Sequence, residues 1–142
     1  MGASFTRMQW LFPITLALHN LEECIWMPAF WRERGIHTWV TAEEFRGVAA
    51  VLTLSGFLVT YWSGKSGRRS ASTYIFAGFV FVMLLNAFWH AGASLWYRAY
   101  APGMATGLLL NLPLAFCLLR KALKEEFIRL PWGSREEIDR SS

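Results

Sequence analysis

Charged side chains are scarce in this sequence, and disulfide chemistry has almost nothing to work with. Asp, Glu, Lys and Arg make up 17% of the 142 residues, against about 25% in soluble domains. They collect between long apolar runs instead of alternating with apolar residues. The two cysteines, Cys24 and Cys117, each lie inside an apolar run and form no CxxC pair. That excludes a disulfide framework, and the two thiols are expected to be buried as small hydrophobes. The net charge of +4 comes from residues in the links and after the last apolar run, so no nucleic-acid surface is expected. A cleaved leader is not expected either: His19, Glu22 and Glu23 interrupt the first apolar run, and no small-x-small site follows it.

What the sequence has in abundance is apolar length. Hydrophobic residues are 54% of the chain, gathered in four runs at about Met8–Phe30, Phe45–Trp62, Thr73–Trp96 and Met104–Leu119. Each is near the roughly 20 residues needed to cross about 30 Å of hydrocarbon. Backbone groups in lipid must be satisfied internally, which makes these runs helices despite their β-branched residues. The expected fold is all-α: a polytopic membrane protein whose four-transmembrane-helix bundle occupies residues 1–122. Pro113 is expected to kink the fourth span. Residues 123–142 form a cytoplasmic segment, into which an amphipathic surface helix that starts at Arg120 continues as far as Leu130 before a disordered tail after Pro131.

With four spans, the N-terminus, the link 63–72 and the C-terminus share one side and carry ten Lys and Arg residues, against four on the other. Both termini are therefore expected in the cytoplasm, with the bundle in a bacterial inner or plasma membrane. The lipid bilayer is the first partner implied, and a homodimer through an apolar face is compatible with the pattern.

Polar groups inside these runs point to a site. On a helix, His19, Glu22 and Glu23 share an arc of roughly 100°, with no Lys or Arg in the same run to answer two carboxylates. Burying such charges costs several kcal/mol each, about the scale set by desolvation, unless something positive pairs with them. At a rise of about 1.5 Å per residue, His19 and Glu23 lie roughly 16 and 22 Å into the first span, and Asn86 and His90 roughly 20 and 26 Å into the third. The two sets fall in one layer on the non-cytoplasmic side of the midplane, and Thr106 reaches a similar height. Asn86, His90, Ser94 and Tyr97 share a face at helical spacing. His37, Glu43 and Glu44 lie in a link and read as solvated. Arg98 reads as a surface residue, and most of the tryptophans read as an interfacial belt. Tyr100 to Gly103 reads as a turn with Pro102 and Gly103 at its centre.

His19-Asn20-Leu21-Glu22-Glu23 resembles the defining motif of the HXXEE-domain family of small membrane proteins. The second histidine of that family is matched by His90 in Asn86-Ala87-Phe88-Trp89-His90, and its Tyr-x-Pro-Gly motif by Tyr100-Ala101-Pro102-Gly103. The resemblance implies a site built from these residues, but it brings no established substrate or reaction with it.

Imidazole and carboxylate are the ligand types of zinc and of non-haem iron or manganese. His19, Glu22, Glu23 and His90 are the candidate ligands of one divalent metal, zinc first, with Glu23 and Asn86 as candidate catalytic groups. Glu22 is favoured as the ligand and Glu23 as the general base. That set suits a metal-dependent membrane hydrolase or lipid-modifying enzyme acting on an amphipathic, lipid-like substrate. Two other readings stay open: a proton-coupled transporter or binding protein, and a metal-free intramembrane protease sharing the chemistry of the glutamic type, with glutamate activating water and the His/Asn pair binding the oxyanion.

Overall fold

Thr41 shows how this chain sets its helix ends. Its hydroxyl accepts from the Glu44 amide (3.2 Å) while the Glu44 carboxylate accepts from the Thr41 amide (2.8 Å). This capping box starts the second long helix at Ala42, three residues before the apolar run itself begins. Glu44 therefore serves as a cap. Ser70 does the same for the next helix by accepting from the Thr73 amide.

The computed structural model describes residues 4–129, and these are helical with no strand. A short α1 (Phe5–Met8) precedes α2 (Leu11–Glu33), α3 (Ala42–Ser66), α4 (Ala71–Tyr97) and α5 (Met104–Lys124). α3, α4 and α5 are each long and apolar enough to cross a membrane. α2 has the length, 23 residues, but His19, Asn20, Glu22 and Glu23 lower its apolarity. Leu54, Val82, Leu109 and Phe116 point outward and are exposed, as on helices that face lipid. Trp26, Trp39, Trp89 and Trp96 are exposed too, whereas Trp31 packs edge-on against Phe45.

α3 and α5 each pack against both α2 and α4. The apolar core is built from Phe12 and Leu16 of α2, Val59 of α3, Phe76, Val80 and Met83 of α4, and Ala115 and Leu118 of α5, with Phe5 and Ile128 closing it. All of these lie toward the side of the bundle where α1 packs on the end of α5, with the Phe5 amide donating to the Glu125 carboxylate. His19, Asn20, Glu22 and Glu23 of α2 and Asn86 and His90 of α4 lie beyond the core at one end, while Thr73 of α4 is buried at the other end with Ser63, which donates to Gln9. Asn20 joins α2 to α3 by donating to Ala49 O (3.1 Å) and Thr53 Oγ1 (2.7 Å).

Two expectations for the fourth span are revised. Instead of a simple kink at Pro113, α5 contains a π-helical turn at Gly107–Asn111, just before the proline. Proline supplies no amide to continue the α-ladder, and the wider turn absorbs the break. The amphipathic continuation is helical only to Lys124. Glu126 takes a left-handed backbone (φ 57°), the Phe127 amide bonds back to Ala122 O (2.8 Å), and the Arg69 amide donates to Phe127 O (2.8 Å). Ile128 is thereby buried against the core and Phe127 packs beside it, so the apolar residues assigned to a surface helix serve the bundle. The expected tail beyond Pro131 lies outside the described residues.

Candidate metal centre

Leu16 and Phe12 fix one face of α2 toward the core, and His19 follows on that face one turn later, almost wholly buried. Its ring edges find different partners. Nδ1 lies 2.9 Å from Thr106 Oγ1, and that hydroxyl donates to Glu22 Oε2 at 2.7 Å. A hydroxyl has one proton, so Thr106 accepts from His19 Nδ1–H; in the neutral ring this is the Nδ1–H tautomer. The Nε2 lone pair then faces inward, where the Asn86 amide donates to it at 2.8 Å.

His90 arrives from α4, one turn after Asn86. The two imidazoles sit edge to face with centroids 5.1 Å apart. Glu23 Oε1 lies 2.8 Å from His90 Nε2 and 3.6 Å from His19 Nε2. The shorter distance is within pairing range, yet the groups are not aligned to hydrogen-bond, and buried His90 Nε2 has no hydrogen-bond partner. One ligand atom from each of His19, Glu23 and His90 lies within 4.8 Å of the other two.

Glu22 points elsewhere. Its Oε1 accepts from the Gly103 amide (2.8 Å) and from the Tyr100 hydroxyl, and its Oε2 accepts from the Thr106 amide (3.1 Å) and hydroxyl. Four donors from residues 100–106 thus satisfy a carboxylate that meets no Lys or Arg among the described residues. Of the four ligands expected from the sequence, the structure gathers three. Glu22 instead orients His19 through Thr106, the arrangement by which a ligand histidine is held in one tautomer. Burial, and then the Glu22 carboxylate, push the Tyr100 hydroxyl above its ordinary range, which keeps it a donor.

The turn before α5 makes this possible. Arg98 ends α4 in the left-handed region (φ 47°) and is exposed, outside the site. The Ala101 amide donates to Ser94 Oγ, and Gly103 adopts φ 90°. A Cβ on Gly103 would lie 2.7 Å from His90 Cε1 and 2.9 Å from His19 Cε1. Only glycine lets the backbone approach both imidazoles while handing its amide to Glu22. Gly103→Ala should therefore cost about 1–3 kcal/mol from the backbone alone and displace both rings. The expected result is a lower melting temperature in detergent together with weaker metal binding, and wild-type values for both would contradict the packing described.

His37 and Glu43 are exposed on the link side of α3, away from the site. Sequence reasoning gave no direct role to Thr106 or to the Tyr100 hydroxyl. The signal was present in the Tyr-x-Pro-Gly motif, since a turn held to such a motif has a backbone worth placing.

Compared with known proteins, residues 10–118 match the model of a family described as "Protein of unknown function with HXXEE motif". The chain is 36% identical over 104 residues to the uncharacterized protein YrkK of Bacillus subtilis (strain 168), a match covering 72% of this chain and 66% of YrkK. No solved structure matches.

Proposed function

The chain belongs to the HXXEE family, and from the site that its motif builds with His90 we propose that it is a metal-dependent integral membrane enzyme, a hydrolase or lipid-modifying enzyme, with His19, Glu23 and His90 holding one divalent ion. The observation that carries this reading is the gathering of these three ligand atoms within 4.8 Å, with the His19 lone pair turned inward by the Thr106–Glu22 chain. Two imidazoles and one carboxylate, with a coordination position left open, are the donor set of catalytic zinc sites. The buried Nε2 of His90, 2.8 Å from Glu23 Oε1 yet without an aligned hydrogen bond among the described residues, is a second mark of fit, because such atoms in native proteins ordinarily have one. Zinc is the first choice; iron and manganese suit the same ligands. Bound there, the ion supplies a water of lowered pKa and polarises an oxygen of the substrate.

The protein's own residues divide the remaining work. Glu22 holds Thr106, Thr106 fixes the His19 tautomer, and Tyr100 covers Glu22 on the outer side. The Asn86 amide and a metal compete for the same His19 lone pair, so Asn86 gates access to it. Asn86→Ala should therefore keep metal affinity or raise it, as read by competition with a chromophoric chelator. Loss of metal in that variant would make Asn86 part of the binding set. Loss of activity from protein that contains no metal would favour the metal-free glutamic reading.

In this reading all four long helices, α2 to α5, cross the membrane and both termini are cytoplasmic, in keeping with the Lys and Arg distribution. In a chain whose native cysteines are replaced, Thr38→Cys should react with a membrane-impermeant maleimide on intact cells, and Ser66→Cys only after permeabilisation. The reverse pattern would invert the topology. Transport is disfavoured by the apolar layer of Phe12, Leu16, Val59, Phe76 and Val80, which in this orientation lies on the cytoplasmic side of His19 and Asn86.

The test is turnover. Protein in phospholipid vesicles, loaded with zinc, should release fatty acid or headgroup from lipid, and chelator-stripped protein should not. Proton flux that Glu23→Gln abolishes, with no lipid turnover, would move the protein into the transporter class.

A further inference from the structure

Tyr100 stands between two surface grooves. Trp26, Phe30, Glu33 and Arg34 from the end of α2 line one of them, together with Tyr100 and Pro102. Ala91 and Leu95 of α4 line the other with Ala99, Tyr100, Met104 and Leu108, and it is almost entirely apolar. The Tyr100 hydroxyl is bonded to Glu22, so the ridge between the grooves is also the outer wall of the metal centre.

The first groove carries one cation and one anion, and neither is neutralised. Among the described residues, Arg34 and Glu33 form no ion pair with each other or with any other residue. Arg34 lies over the Phe30 ring and, among the described residues, donates only to Tyr97 O, at 3.4 Å. Its guanidinium thus has donors to spare for a phosphate. Glu33 beside it offers a carboxylate to an ammonium. The second groove opens between α4 and α5 on faces whose neighbours, Trp96 and Leu109, are exposed and apolar.

We infer that the two grooves together hold a phospholipid with a zwitterionic phosphoethanolamine headgroup, its phosphate on Arg34, its ammonium on Glu33, and an acyl chain in the groove between α4 and α5. This rests on the membrane-enzyme reading and names its substrate class: an aminophospholipid straddling Tyr100, whose hydroxyl is bonded to Glu22 beside the three-ligand group. A headgroup without the ammonium leaves Glu33 facing a phosphate, and like charges repel.

The test is binding, read independently of turnover. Detergent-solubilised, chelator-stripped protein is titrated with short-chain phosphatidylethanolamine and phosphatidylglycerol, followed by tryptophan fluorescence. The ethanolamine lipid should bind about tenfold tighter. Arg34→Gln should weaken both lipids, Glu33→Gln should reverse their order, and Leu108→Trp should weaken both by filling the acyl groove. Melting temperature serves as the folding control for each variant. Equal affinities for the two lipids, a preference for phosphatidylglycerol, or a preference unchanged in Glu33→Gln would overturn the inference. Because the metal is stripped, these outcomes leave the metal reading untouched. Conversely, protein that never binds zinc but keeps the lipid preference would sink the enzyme reading alone.

Discussion

Replacing His90 by alanine is expected to reduce bound zinc from about one ion per chain to essentially none, while the bundle stays folded. The two halves of that expectation have separate causes. His90 Nε2 is buried 2.8 Å from Glu23 Oε1 but is not aligned to hydrogen-bond, so its removal takes away a ligand and one contact to Glu23 while breaking no aligned hydrogen bond at that atom. The cost in stability is that of a small cavity beside Gly103, within the roughly 0.5–3 kcal/mol common for single substitutions. His19→Ala is the less informative variant, because His19 is bonded to both Thr106 and Asn86 and its loss disturbs α2, α4 and α5 together. Elemental analysis of the purified His90 variant, with melting temperature as control, decides the matter. Retention of zinc at wild-type affinity would remove His90 from the site.

The two glutamates should not behave alike. Glu23→Gln replaces the anionic member of the three-ligand group with a neutral amide, so metal binding should fall by more than about 100-fold, beyond the range seen for outer-shell changes. Glu22→Gln leaves all three ligands in place. It puts an amide nitrogen where one carboxylate oxygen now accepts two bonds, either from Tyr100 and Gly103 or from Thr106 twice. In the second case the Thr106 hydroxyl is free to turn and His19 is no longer tied to one tautomer; in the first the turn that carries Thr106 loses its two bonds to Glu22. The expected loss is about 10- to 100-fold in affinity, with a lower melting temperature. Isothermal titration of both variants makes the comparison. If Glu22→Gln loses the metal and Glu23→Gln keeps it, the roles are reversed.

That assignment also marks the limit of what the sequence discloses. The helices are legible because apolar runs near 20 residues have few other options in lipid, and the layer holding His19, Glu23, Asn86 and His90 follows from helical rise alone. The α3 start at Ala42 is legible too, in Thr41-x-x-Glu44, once capping is weighed beside hydropathy. The direction in which each glutamate faces is not. Glu22 and Glu23 are about 100° apart on α2, and either could meet the histidines. The choice is made by residues 78 to 84 positions away, through the φ 90° turn at Gly103 that lets four donors from Tyr100, Gly103 and Thr106 meet Glu22. The π turn at Gly107–Asn111 is equally hidden, since Pro113 announces a break in the ladder and not its form. Ile128 misleads for a related reason: an amphipathic stretch at a chain end looks the same whether its apolar face meets lipid or, as here, the core.

The central claim is that His19, Glu23 and His90 hold one divalent metal, and X-ray absorption spectroscopy of the zinc-loaded protein tests it most directly. The account predicts a first shell of nitrogen and oxygen only, at about 2.0–2.1 Å, with outer-shell scattering from two imidazoles that drops to one in His90→Ala. A sulfur shell at about 2.3 Å, pointing to Cys24 or Cys117, or a spectrum identical in wild type and His90→Ala, would contradict it.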